Sequence, residues 1–164
     1  MPRRADRLDA IEPFRAVQVF RDAAAMRAAG RDVISLAVGE PDFPTPPHVV
    51  EAAAAAVRDG ATRYTVALGI DPLRAAIAGH YRERHAAAVL AEHVAVTVGA
   101  SGALTIAFGL FVNPGDEVIL ADPTYPSNRA FVSLFGGTPT LVPVGAAERF
   151  QLTPELVERH WTPR

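Results

Sequence analysis

Four residues with almost no side chain, Gly99, Ala100, Ser101 and Gly102, follow a short apolar run and precede a run with helical character. The first backbone N–H groups of a helix have no partner inside the helix, and they lie at the positive end of the helix dipole. Such a turn suits a phosphate group, to which the hydroxyl of Ser101 adds one more donor. The sequence therefore predicts a phosphate-binding turn here.

Lysine is absent, because all 16 residues counted as lysine or arginine are arginines. A coding bias toward arginine and alanine accounts for this composition, and alanine runs such as 52–56 fit it. The chemical consequence holds whatever the cause. A guanidinium stays protonated and delocalised, so it cannot form the Schiff base that a lysine amine forms with an aldehyde. No side chain of this sequence can therefore hold an aldehyde cofactor covalently.

The composition argues against several other kinds of site. Cysteine is absent, which excludes a disulfide framework and a cysteine-based metal site. His80 and His85 miss the spacing that places two metal ligands on one helix face, so we expect no metal site. The net charge of −2 gives no reason to expect nucleic acid or an anionic membrane as a partner. Neither a membrane span nor a signal peptide is recognisable, and we expect a cytoplasmic protein.

Alternating elements position the phosphate-binding turn. Predicted strands at 94–98, 117–121 and 139–144 are each followed by a predicted helix, at 101–112, 126–135 and 153–160 respectively. This alternation predicts an α/β fold with a doubly wound, mostly parallel sheet. Ligands of such sheets bind beyond the carboxyl ends of the strands, and the turn lies at one such end.

The preceding part of the chain is predicted to be mainly helical, with helices at 13–29, 49–58 and 72–85 and a brief strand at 33–38. We therefore expect an N-terminal arm over residues 1–45 and the first part of a larger α/β domain over residues 46–164. Three parallel strands leave an unpaired edge, and the sequence ends where another strand is expected, so we expect the sheet to be incomplete.

Six short motifs follow one another along the sequence. They are Gly39-Glu40-Pro41-Asp42-Phe43, Thr62-Arg63-Tyr64-Thr65, Gly69 with Leu73-Arg74, Gly99 to Leu104, Asn113 to Val118, and Asp122-Pro123-Thr124-Tyr125-Pro126. In this order they resemble the class I and II aminotransferases of fold type I, which use pyridoxal 5′-phosphate. The resemblance covers residues 34–164. It implies an enzyme that transfers an amino group between an amino acid and a 2-oxo acid.

The resemblance also implies roles for the cofactor-binding residues. The turn of Gly99, Ala100, Ser101 and Gly102 corresponds to the family's phosphate cup. Tyr125 corresponds to the aromatic side chain that stacks on the pyridine ring of the cofactor. Gly102 stands where many relatives have glutamine or glutamate, which removes no phosphate donor.

Two further motif residues correspond to contacts with the substrate and with a second subunit. Gly39 matches the glycine whose backbone contacts the substrate carboxylate. Tyr64 matches the tyrosine that reaches the phosphate in the neighbouring subunit, so the resemblance implies a homodimer. The family's Schiff-base lysine, the aspartate at its pyridinium nitrogen and its substrate-binding arginine have no counterpart here. We therefore name no catalytic residue and expect this chain alone to be inactive.

Two other interpretations remain open. The chain is alternatively a non-catalytic relic or an assembly module that a second polypeptide completes. A more remote alternative is an α/β-hydrolase, because Ser101, Asp122 and His160 follow in the chain order of a hydrolase triad. The nucleophile elbow requires Gly-x-Ser-x-Gly, however, and Ala103 stands at its last position.

Overall fold

A computed structural model of the chain describes residues 3–163. These residues form two units. One unit, called the sheet unit, comprises the residues up to Val38 together with those from Leu104 onward. The other, called the middle unit, comprises Gly39–Ala103. The predicted boundary between residues 45 and 46 stays a prediction.

Six α-helices, two β-strands and two short 3-10 helices form within residues 3–163. The α-helices are α1 (Arg15–Ala28), α2 (Pro47–Arg58), α3 (Asp71–His85), α4 (Gly99–Phe111), α5 (Pro126–Leu134) and α6 (Pro154–His160). The strands are β1 (Glu117–Asp122) and β2 (Thr138–Pro143), and the 3-10 helices span Asp6–Ala10 and Ala91–His93. The helices predicted from the sequence all form, with ends shifted by one or two residues.

The two strands of the sheet unit pair in parallel, in a register that runs from Glu117 opposite Thr138 to Asp122 opposite Pro143. Parallel neighbours need a crossover connection, and α5 provides it. Val132 of α5 and Val142 of β2 are both fully buried, so the helix is held on the sheet by apolar packing. The predicted α/β class with a parallel sheet is confirmed.

In the middle unit, α3 contacts the residues that directly follow the 3-10 helix Ala91–His93. Arg74 on α3 donates from Nε to the carbonyl oxygen of Val94 at 3.0 Å, and its side chain is only 14% exposed. Ala78 and Val94 are the buried apolar residues of this unit. The guanidinium of Arg74 therefore fixes the start of residues 94–98 to α3.

The predicted strand at 94–98 is wrong. Within the described range this segment makes one ladder-like hydrogen bond, from the backbone N–H of Val96 to the carbonyl oxygen of Leu68 at 2.9 Å. Val98 is 95% exposed, although its apolar side chain predicted burial. A strand requires a partner that offers a row of backbone groups, and a single carbonyl does not form one.

The predicted strand at 33–38 is also wrong, and two of its backbone groups bond to side chains. Arg27 donates from Nε to the carbonyl oxygen of Val33 at 3.0 Å, and the backbone N–H of Ala37 donates to the Ser35 hydroxyl at 3.4 Å. Ser35 thus offers the backbone a local partner in place of a neighbouring strand.

The chain exposes much apolar surface. Its accessible surface is 13387 Å². A folded monomer of 17.4 kDa has roughly 7,900 Å² of accessible surface, and two separate globules that share this mass have roughly 9,500 Å² in total.

Among residues 3–163, no helix is both long and apolar enough to cross a membrane.

We predict that Gly69→Ala destabilises the chain more than Gly60→Ala. Both glycines have a left-handed φ, +99° and +76° respectively, which costs an alanine about 1–2 kcal/mol. A Cβ at Gly69 would also lie 2.6 Å from Val96 Cγ2, whereas one at Gly60 meets no atom within 4 Å. The overlap adds about 1–3 kcal/mol, measurable as a difference between urea unfolding curves. Equal destabilisation would contradict the packing of Gly69 against Val96.

Candidate functional site

The turn that opens α4 has the backbone geometry that requires glycine at its first position. Gly99 has φ +69°, and a Cβ built there would meet no atom within 4 Å, so the space in front of it is open. Thr97 holds the turn with two hydrogen bonds. Its hydroxyl donates to the carbonyl oxygen of Gly99 at 2.9 Å, and its own carbonyl oxygen accepts from the Gly99 N–H at 2.9 Å.

The rest of the turn is compact and carries no competing charge. Ala100 and Ser101 are exposed and Gly102 is half-buried. The first turn of α4 has no acidic side chain that would compete with an anion for the helix N-terminus. An ideal Cβ on Gly102 would lie 3.4 Å from Thr97 Cβ, which is an ordinary contact distance.

Tyr125 lies three residues after the end of β1 and immediately before the first residue of α5. Its ring packs edge-on against Phe14, with the ring centroids 5.6 Å apart and an interplanar angle of 62°. The ring is nevertheless 58% exposed, so much of it stays accessible to a ligand. Beside it, Asn128 donates from Nδ2 to the hydroxyl of Thr124 at 3.1 Å, which ties the start of α5 to the preceding loop.

Gly39 and Tyr64 lie in segments outside regular helices and strands. A Cβ at Gly39 would meet nothing within 4 Å, and no positive φ occurs there, so neither packing nor backbone conformation requires glycine at this position. Tyr64 is fully exposed. Its ring has the accessibility that a contact with another polypeptide needs.

The structure brings four of the predicted site residues together, in the single turn of residues 99–102. These four, Gly39 and Tyr64 belong to the middle unit, while Tyr125 belongs to the sheet unit. Sequence reasoning missed two supporting residues. Thr97 lies in the predicted strand at 94–98, although a threonine two residues before a glycine also signals a local hydroxyl-to-backbone bond. Phe14 lies in the predicted helix at 13–29, and no sequence signal pairs it with Tyr125.

The hydrolase arrangement is not supported by the contacts of His160. Its Nδ1 lies 2.8 Å from the carbonyl oxygen of Leu156, one helical turn back. In a triad that nitrogen would donate to the aspartate, here Asp122. The turn at 99–102 fits phosphate better than it fits a nucleophile, because small side chains and open space expose backbone donors.

Comparisons with known proteins all indicate the same family. The family model described as aminotransferase class I and II matches residues 31–163. An aspartate/prephenate aminotransferase of Cereibacter sphaeroides is 39% identical over 98% of this chain and 40% of its own length. An aspartate aminotransferase of Geobacillus stearothermophilus is 36% identical over 98% of this chain and 41% of its own length.

A solved structure agrees with these relatives. The aspartate aminotransferase of Thermus thermophilus, solved with maleate, superposes with a TM-score of 0.94 at 39% identity. The match covers 100% of this chain and 43% of that protein. The chain thus spans about two fifths of the length of the relatives that it matches.

We predict opposite effects for alanine at the two ends of the turn. Gly99→Ala places a side chain at φ +69° and lowers the free energy of unfolding by about 1–2 kcal/mol. Gly102→Ala lies inside α4 with room for a methyl group, and it raises that free energy by up to about 1 kcal/mol. Urea unfolding followed by circular dichroism measures both. A loss in Gly102→Ala as large as that in Gly99→Ala would show that the turn is packed differently.

Proposed function

Because the chain belongs to the aminotransferase class I and II family, we propose that it supplies the phosphate-binding and ring-stacking side of an aminotransferase site. The reaction is transfer of an amino group between an amino acid and a 2-oxo acid. One observation carries the proposal. The small-residue turn at the start of α4 combines a left-handed glycine, open space and a helix N-terminus without acidic residues.

The backbone N–H groups of Ala100, Ser101 and Gly102 bind the phosphate of pyridoxal 5′-phosphate in this proposal. Two or three such donors contribute roughly 1.5–3 kcal/mol each, because the acceptor is charged. The cost of association is of similar size, so the turn alone binds a phosphate ester with an affinity near the millimolar range, about 4 kcal/mol. The hydrogen bond from the Thr97 hydroxyl to the carbonyl oxygen of Gly99 stabilises the turn that carries these donors.

Tyr125 packs against the cofactor ring, and Phe14 holds the edge of Tyr125 in place. When bound, pyridoxal phosphate supplies an electron sink for the charge released at the substrate Cα. The exposed face of Tyr125 excludes water from one side of the ring and limits its orientation. Proton transfer has no assigned residue in this chain, because the sequence contains no lysine.

Gly39 contacts the substrate carboxylate through its backbone in this proposal, and the lack of any local need for glycine supports that role. Aspartate is the amino acid to test first, because the relatives from Cereibacter sphaeroides and Geobacillus stearothermophilus carry it in their names. The Thermus thermophilus structure was solved with maleate, which is a dicarboxylate, and this fits the same choice.

Association with a second polypeptide is part of the proposal. Tyr64 is fully exposed, and the accessible surface exceeds that of folded proteins of this mass by several thousand Å². A second copy of the chain, or a complementing chain, covers this surface. If the complementing chain brings no lysine to the site, the alternative of a non-catalytic assembly module applies.

The phosphate-binding turn is tested with pyridoxine 5′-phosphate, which lacks the aldehyde and so cannot react with the α-amino group. We predict that Ser101→Asp lowers its affinity at least about tenfold in a phosphorus NMR titration, because the new carboxylate occupies the positive end of α4. Helix stability is maintained or increased, since an acidic residue is favourable in a first turn.

His48→Asp is the matched control, because it adds a carboxylate in the first turn of α2, which has no acidic residue there and none of the residues assigned to the cofactor. This variant retains wild-type affinity for pyridoxine 5′-phosphate. Pyridoxine without phosphate does not bind measurably to either protein. If both aspartate variants weaken binding equally, the phosphate does not bind at the turn of α4.

Borohydride trapping tests the second part of the proposal. After mixing with pyridoxal 5′-phosphate, reduction and digestion, we expect labelling of the α-amino group only, because no side chain carries a primary amine. In a parallel sample that is not reduced, amino-group transfer from aspartate by the chain alone stays at background. A pyridoxyl adduct on any internal peptide, or transfer above background, would overturn this prediction.

Sedimentation velocity at low micromolar concentration tests association. We expect species larger than 17.4 kDa, with a broad thermal transition, because the exposed apolar surface drives association. We expect Tyr64→Ser to reduce association, because the proposal places Tyr64 against the second polypeptide, and Tyr81→Ser, an exposed aromatic control on α3, to leave association unchanged. A compact monomer with a sharp cooperative transition would contradict the proposal that a second polypeptide covers this surface.

A further inference from the structure

We propose that a cavity in the sheet unit binds a small organic carboxylate. The cavity has a volume of about 340 Å³, which lies within the range of small-molecule sites. It forms where residues 10–16 pack against one face of α5 and against β2. None of the residues assigned above to the cofactor or the substrate lines it.

Two arginines give the cavity its charge. Arg15 and Arg129 both line it, and neither guanidinium forms an ion pair or a side-chain hydrogen bond with any residue between 3 and 163. Glu12 also lines the cavity, so the lining carries an excess of one positive charge. Arg129 is half-buried, which strengthens its attraction for an anion relative to that of a fully solvated arginine. A carboxylate is the planar anion that a guanidinium binds through two parallel hydrogen bonds.

A buried hydroxyl supports the same inference independently. Ser133 on α5 is only 6% exposed and lines the cavity. Its hydroxyl makes no hydrogen bond to another described residue, and yet no fully buried side-chain oxygen in that range lacks a partner. The Ser133 oxygen therefore keeps some accessible surface, and the cavity is the open space that it lines. A ligand oxygen in the cavity can therefore form a hydrogen bond with this hydroxyl, in place of the water that would otherwise solvate it.

Apart from Ser127, the remaining wall is apolar, and it sets the class of ligand. Pro13, Phe14, Pro126 and Leu141 form much of it. An inorganic anion would leave this wall uncovered, whereas an aromatic or branched carboxylate covers it and directs its charge to the arginines. The ligand is accordingly a monocarboxylate with an apolar body.

The test uses 4-fluorobenzoate as the probe, followed by fluorine NMR line broadening against the full chain. We expect saturable binding of 4-fluorobenzoate and none of 4-fluorobenzamide, its neutral analogue. Arg129→Gln weakens the affinity at least about tenfold, as loss of a charge-assisted pair does. Ser133→Ala weakens it about threefold, as loss of a neutral hydrogen bond does.

Arg21→Gln is the matched control, because Arg21 is an exposed arginine of α1 that does not line the cavity. It leaves the affinity unchanged. Circular dichroism verifies that each variant is folded, and Arg15→Gln replaces Arg129→Gln if that variant does not fold. Absence of saturable binding overturns the proposal, and so do equal affinities for the benzoate and the benzamide or an equal loss in Arg21→Gln. Binding of pyridoxine 5′-phosphate at α4 does not depend on any of these outcomes.

Discussion

The parallel pairing of β1 with β2 is the constraint on which the order of the sheet unit depends. Two parallel strands cannot be joined by a tight turn, so the chain must cross over the sheet, and α5 is the crossover. The crossover buries Val132 of α5, and Val142 of β2 is also fully buried. The crossover also determines the place of Tyr125, which follows the carboxyl end of β1 and precedes α5. A side chain at that point lies where ligands of parallel sheets bind.

The sequence predicted the helices and the parallel pair well, because their signals are local. Proline in the first turn marks the start of α5 and of α6, and the residues around them repeat with the periodicity of a helix. The strands at 33–38 and 94–98 were predicted wrongly, because a strand depends on a partner that no local pattern reveals. The apolar side chain of Val98 predicted that it is buried. It is exposed, because no neighbouring strand among the described residues pairs with its segment.

In the candidate site too, features set by adjacent residues were predicted, whereas contacts between residues distant in sequence were not. Glycine and small residues before a helix predicted the turn at 99–102, and the left-handed φ of Gly99 agrees with that geometry. The contact of Phe14 with Tyr125 joins residues more than a hundred positions apart, and only the folded chain reveals it.

The arginines of this lysine-free chain also make hydrogen bonds that stabilise the local structure. Arg27 and Arg74 each donate from Nε to a backbone carbonyl, a donor that the lysine side chain does not have.

The single bond between Val96 and Leu68 has a consequence for the order in which parts of the chain lose their structure. Amide protons of β2 that bond to β1 exchange with solvent only when the paired strands separate, which requires opening of the buried core around Val142. The amide proton of Val96 bonds a single loop carbonyl, so its exchange requires only local opening of that bond and of the packing of Val96 against Gly69. The segment that leads into the turn at 99–102 can thus open in a local fluctuation while the sheet stays protected. A ligand held by that turn would slow exchange at Val96 first.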